Sequence, residues 1–261
     1  MPRSPSQVAA SADGVLVSYE SHGQGPPLVL VHGWSCDRTY WDGQAPLAGE
    51  YQLVTIDLAG HGHSGQGRSG WTIAAFGDDV AAVVEALSLE RAILVGHSMG
   101  GDVIVEAARR LEGMVAGLVW VDVYKRLGAP RTPEQVRTQM APFRADFIPA
   151  THYFVRDMFP PGADPLLVDR VAADMAAAPR AIALEAMESA MTCEAAITAG
   201  LQELRLPAVA INPDDRPTDL ESMARYGIEV VLMPGVGHFP MMEDPERFNA
   251  LLRQVAAKLL A

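Results

Sequence analysis

Only two cysteines, Cys36 and Cys193, occur in the 261 residues, and neither has a second cysteine at metal-ligand spacing. A disulfide framework and a structural zinc site are therefore not expected. Basic residues are scarce as well. The chain has 20 Lys and Arg against 32 Asp and Glu, for a formal net charge of -12. Phosphate binding needs a basic face, so no nucleic-acid partner is expected, and an anionic membrane should repel the chain. No apolar run approaches the length of a membrane span. The first ten residues, MPRSPSQVAA, lack the apolar core of a secretory signal. These absences favour a cytoplasmic protein acting on a neutral, apolar or cationic small molecule. With 49% hydrophobic residues, the length suits one large α/β domain.

Apolar runs and helical stretches alternate along the first half. VLVSYE (15–20), PPLVLVH (26–32), YQLVTID (51–57), RAILVGH (91–97) and MVAGLVWVDV (114–123) read as strands. Residues 71–87, with Thr72 as N-cap, and residues 98–113, stopped by Gly113, read as helices. The alternation implies parallel βαβ units. Residues 124–200 break it: they are rich in Ala, Met and Pro and read as a helical insertion. Strand–helix alternation resumes with LPAVAIN (206–212), a helix near 218–226, IEVVLMP (228–234) and a last helix over 244–260.

Three stretches carry chemistry. VGHSMGG (95–101) sets Gly96, Ser98 and Gly100 between a strand and a helix. That is the pattern of a nucleophile held on a tight turn. A serine hydroxyl attacks only when a neighbouring base takes its proton. His238, in the glycine-bracketed loop PGVGHFP (234–240) after the last strand, is the candidate base. His22, His61, His63, His97 and His152 read as surface or structural residues, and His32 as a local packing residue. Acyl transfer also needs fixed donors for the anion on the carbonyl oxygen. The backbone N–H groups of Met99, next to the serine, and of Trp34, after the strand ending in His32-Gly33, are placed to supply them.

HGW (32–34), DLAGHGHS (57–64), GHSMGG (96–101) and GVGHFPMMEDPERF (235–248) together resemble the α/β-hydrolase superfamily. The likeness covers nearly the whole chain except 124–200. It implies a mainly parallel, eight-stranded, doubly wound sheet. Residues 1–123 and 201–261 would form the core, and 124–200 a helical cap after the sixth strand. Asp57 falls in a family turn whose role is structural. A serine at 98 favours attack on an acyl carbon over the aspartate chemistry of dehalogenases and epoxide hydrolases. No cofactor or metal is implied.

The resemblance leaves the acid partner of His238 open. The usual position, Gly-x-x-Asp after the seventh strand, meets INPDDRPTD (211–219), where the glycine is missing. A second family position, at the end of the sixth strand, holds Asp122. Asp122 is preferred, with Asp215 next and Asp214 after it. The expected activity is that of a serine hydrolase cleaving a small, fairly apolar ester or lactone. Thioesterase, carbon–carbon bond hydrolase and cofactor-free perhydrolase share the same machinery, and a slow receptor-like binding protein is the rival outside enzymes. Met140, Met158, Met175, Met187 and Met191, with Phe143, Phe147, Tyr153 and Phe154, are candidates to line an adaptable pocket.

Overall fold

The computed structural model describes residues 6–261. Eight strands form one sheet in the order β1-β2-β4-β3-β5-β6-β7-β8. They are β1 (Gln7–Ala10), β2 (Leu16–His22), β3 (Pro27–Val31), β4 (Gln52–Ile56), β5 (Ala92–His97), β6 (Val115–Val121), β7 (Ala208–Pro213) and β8 (Ile228–Met233). β1–β2 and β2–β4 pair antiparallel, and every later pairing is parallel. β3, β5 and β6 are continuous apolar runs because both faces of a parallel sheet are covered. Leu28, Val29, Leu30 and Val31 of β3 are all fully buried, as are Ala92 to Val95 of β5.

Helices α1 (Ile73–Ala86) and α2 (Met99–Arg110) follow β4 and β5 in sequence. Thr72 caps α1 by accepting from Ala75 N at 3.2 Å. Five helices fall between β6 and β7: α3 (Pro133–Ala145), α4 (Phe147–Arg156), α5 (Pro165–Ala176), α6 (Arg180–Thr192) and α7 (Glu194–Leu204). Helix α3 opens with a reciprocal capping box between Thr132 and Gln135. The chain closes with α8 (Leu220–Arg225), α9 (Pro240–Glu243) and α10 (Pro245–Leu260). Among the described residues, no helix is long and apolar enough to cross a membrane.

Three details differ from the sequence reading. β1 was not expected: four residues next to a proline- and serine-rich start give too short a pattern to register. Helix α7 runs past the expected limit of the insertion at 200, to Leu204, where Arg205 ends it in a left-handed conformation (φ 51°). Residues Arg38–Gly49, between β3 and β4, wind as 3-10 turns, and no periodicity announced them.

The turn after β4 shows what DLAGHGHS is for. Asp57 is fully buried and accepts from Arg38 Nη1 at 2.5 Å, Arg38 N at 2.9 Å and His63 N at 3.0 Å. Gly62 has φ +51°, and a Cβ there would strike the Asp57 carboxylate. His32 fixes the same turn, its Nε2 accepting from Leu58 N at 3.0 Å.

Candidate functional site

Ser98 stands between β5 and α2 with φ 51° and ψ -123°. A non-glycine residue in that region is strained, and the neighbours over-determine it. A Cβ on Gly96 would run into the Gly100 carbonyl, and one on Gly100 would lie 2.5 Å from Val31 O and 2.6 Å from His32 O. Both glycines are thus required by close approach of backbone. Ser98 N donates to Val121 O at 3.0 Å, which pins the turn to the end of β6.

At that same strand end lies Asp122, also with a positive φ of 47°. Its Oδ2 accepts from His238 Nδ1 at 2.7 Å. A proton on Nδ1 leaves Nε2 as the basic nitrogen of the neutral ring. Lys125, one of two lysines in the chain, places Nζ 3.0 Å from Asp122 Oδ1. Burial pushes the Asp122 carboxyl up, but the hydrogen bonds and charges of His238 and Lys125 outweigh it and hold the group below the usual carboxylate range. Of the other two candidate acids, Asp215 lies 3.4 Å from Lys125 Nζ and 3.8 Å from Arg216 Nε. Asp214 accepts from Gly235 N at 3.2 Å. Neither is bonded to His238.

The loop carrying His238 is held from three directions that the motif did not foretell. His238 N donates to Met158 O at 3.0 Å, in the segment after α4. Its carbonyl accepts from His97 Nε2 at 2.8 Å. The Glu243 carboxylate accepts from Gly237 N at 2.9 Å and Phe239 N at 3.0 Å. Glu243 sits in MMEDPERF, so the stretch after the histidine carries its clamp.

Ser98, His238, Met99 and Trp34 all line one cavity of about 180 Å³. Met99 is the first residue of α2, so its N–H has no partner within the helix. The helix also directs the positive end of its dipole at this point. The Trp34 indole donates to Ala183 O at 2.7 Å and meets Phe143, Phe147 and Phe154 edge-on, which ties the loop after β3 to α3, α4 and α6. Among the pocket candidates, Met158, Met175, Met187, Met191 and Phe154 line this cavity. Met140, Phe143 and Phe147 are buried among their neighbours instead, and Tyr153 points outward at 79% exposure. The side of α4 that faces inward is set by Phe154 and Val155, a choice two adjacent aromatics could not reveal. A wider cavity of about 560 Å³ adjoins the first, sharing Val123, Tyr124, Arg131, Phe154, Met158 and His238, and its walls carry charges of both signs, Lys125, Arg126 and Arg216 beside Asp157, Glu194 and Asp215. Cys36 and Cys193 are free thiols. Among the described residues, no group of three or more side chains is placed to hold a metal ion.

Three histidines near the site are buried and neutral. Burial lowers His32 to about 4, His61 to about 3 and His97 to about 3, with His32 adding to the effect on His61 and His238 to that on His97. In the unfolded chain each takes a proton near pH 6.5. Their stabilisation is therefore complete above about 6.5 and drains away as the pH falls toward the folded values. Between pH 7.5 and 5.5 that is on the order of 1 kcal/mol per histidine. Asp102 acts oppositely: burial raises it to about 7, so native protein gains a proton there and recovers about 2 kcal/mol over the same interval. Urea unfolding should show lower stability at pH 5.5 than at pH 7.5, with a smaller loss in His61→Gln. Equal stability at the two pH values would refute this.

The comparisons match this architecture. The family model described as "Alpha/beta hydrolase family" covers residues 28–251. An esterase from Thermogutta terrifontis superposes with a TM-score of 0.83 at 26% identity, over 98% of this chain and 99% of that one. A second structure, described as an N-acyl homoserine lactone degrading enzyme, gives 0.80 at 26% identity, over 95% and 99%. A non-heme chloroperoxidase of Streptomyces lividans is 37% identical over 116 residues, 42% of this chain and 42% of that protein. The chain spans less than half the length of the curated relatives it matches. An eight-stranded sheet in this order, a strained serine between β5 and α2 and a family match over most of the length have one reading: the chain belongs to the α/β hydrolase family.

Proposed function

We propose that this protein is a serine hydrolase that cleaves a small ester or lactone through an acyl-enzyme on Ser98. The observation that carries the reading is the 2.7 Å hydrogen bond between Asp122 and His238, which lines the same cavity as Ser98. In this reading His238 Nε2 takes the Ser98 proton as Oγ attacks the carbonyl carbon. The N–H groups of Trp34 and Met99 stabilise the resulting oxyanion. His238 then delivers the proton to the leaving alkoxide and activates a water for the second half-reaction. Asp122 holds the ring in the required tautomer and stabilises its cation. The α3–α7 segment acts as a cap: its methionines and Phe154 give the cavity apolar walls, which suit a short acyl or alkoxy arm.

Steady-state turnover of p-nitrophenyl acetate and butyrate tests the reading. Continuous release of p-nitrophenol over many enzyme equivalents is expected. Release that stops after one equivalent would instead mark a binding protein that acylates without turning over.

A further inference from the structure

Asp102 lies one turn past Ser98 on α2, and its neighbours on that helix, Val103, Ile104 and Val105, are fully buried and apolar. Ser98 and Asp102 line the same cavity, so the carboxyl and the serine border one space. Asp102 is only 4% exposed. Most of the other cavity walls are sulfur, aromatic and aliphatic, so Asp102 is one of the few charged groups there, beside Arg131.

The hydrogen-bond inventory there is lopsided. Tyr124 donates its hydroxyl proton to Asp102 Oδ1 at 2.9 Å. A tyrosine hydroxyl has one proton, so its oxygen is then left as an acceptor. The second carboxylate oxygen has only the weak Cys193 thiol beside it. Two acceptor positions thus face a cavity whose walls offer few donors. Asp102 and Tyr124 both line the cavity, and a ligand that displaces water from these acceptors loses affinity unless it brings a donor of its own. The charge environment favours a neutral one. Arg131, on the same cavity wall, already supplies a positive field to the carboxylate, whereas Glu194 opposes it.

We propose that Asp102 and Tyr124 form a specificity site for a hydroxyl group on one arm of the substrate, and that the preferred substrates are hydroxyl-bearing esters. The inference rests on Ser98 being the nucleophile. One helical turn rises about 5.4 Å, which places the hydroxyl roughly five or six bonds from the carbonyl carbon under attack. A plain alkyl arm of the same length would bury a methyl group against two acceptors. Burial raises the Asp102 carboxyl to about 7, so the esters are compared at pH 8.5, where it is ionised; a ligand hydroxyl bonded to a charged acceptor strengthens binding by about tenfold or more.

The test compares matched esters in which a terminal hydroxyl replaces a methyl group. On the acyl side these are methyl 6-hydroxyhexanoate and methyl heptanoate; on the alcohol side, 4-hydroxybutyl acetate and pentyl acetate. The wild-type protein should show a kcat/KM at least about tenfold higher for the hydroxylated member of one pair. That ratio should collapse to one or below in Asp102→Leu, and should fall in Asp102→Asn, which exchanges one acceptor for a donor. A wild-type ratio of one or less on both pairs overturns the proposal, and so does a ratio that survives either substitution. Hydrolysis of p-nitrophenyl acetate is run beside them. Activity on acetate without a hydroxyl preference defeats this inference alone, whereas no turnover of any ester defeats the serine hydrolase reading.

Discussion

Ser98→Ala should lower kcat for ester hydrolysis by about 10⁴-fold or more, the scale on which removal of a triad nucleophile acts elsewhere. The loss should be one of chemistry rather than of folding. Ser98 is half-buried, and its turn is held by its backbone N–H to Val121 O and by the close approach of Gly96 and Gly100, none of which needs the hydroxyl. Alanine keeps the Cβ, so it meets the same strain at φ 51° that serine already bears. The urea midpoint should therefore stay near that of wild type. A variant that retains a tenth of the activity would mean that another group attacks the ester.

Asp122→Asn should cost about 10² to 10⁴ in kcat, or about 3–5 kcal/mol of transition-state stabilisation. Asparagine suits the test because it accepts the left-handed conformation that residue 122 adopts at φ 47°. Its amide turns a donor toward Nδ1, which then serves as the acceptor, and the ring proton moves to Nε2. In that tautomer the imidazole cannot take the serine proton. Asp215→Asn is the control. Its partners are Lys125 at 3.4 Å and Arg216 at 3.8 Å, not the histidine, and exposed pairs of this kind contribute little. Its turnover should stay within about threefold of wild type, a loss below about 1 kcal/mol. A collapse in Asp215→Asn with Asp122→Asn intact would move the acid to the end of β7.

The ambiguity between these two aspartates shows where sequence reasoning stops. Ser98 with its glycines is a local pattern, and so is the strand–turn–helix around it; both are written in consecutive residues. The partner of His238 is 116 positions away, and two strands end beside the histidine loop with a carboxylate each. Lys125 lies between those carboxylates, 3.0 Å from one and 3.4 Å from the other, a relation that no spacing rule contains. Asp102 belongs to no motif, and its partner Tyr124 lies just past the end of β6, 22 positions away, so the pair emerges only once the sheet is assembled. Cap residues were the least legible. Phe154 lines the cavity while Tyr153 faces outward, a matter of how α4 is rotated against its neighbours. The strands, by contrast, were evident because a parallel sheet buried on both faces demands continuous apolar runs; β1, at the antiparallel edge and four residues long, escaped for the same reason.

The central claim is covalent: an acyl group passes through Ser98. Mixing the protein with excess p-nitrophenyl acetate, quenching in acid within the first turnover and mapping the peptides by mass spectrometry reads that intermediate directly. The account predicts one acetyl group on the peptide containing GHSMGG, at Ser98, present in the wild type and in greater amount in Asp122→Asn if deacylation slows more than acylation. An acetyl group found only on another residue, or p-nitrophenol released in the first turnover from a protein whose Ser98 peptide is never acetylated, would contradict it.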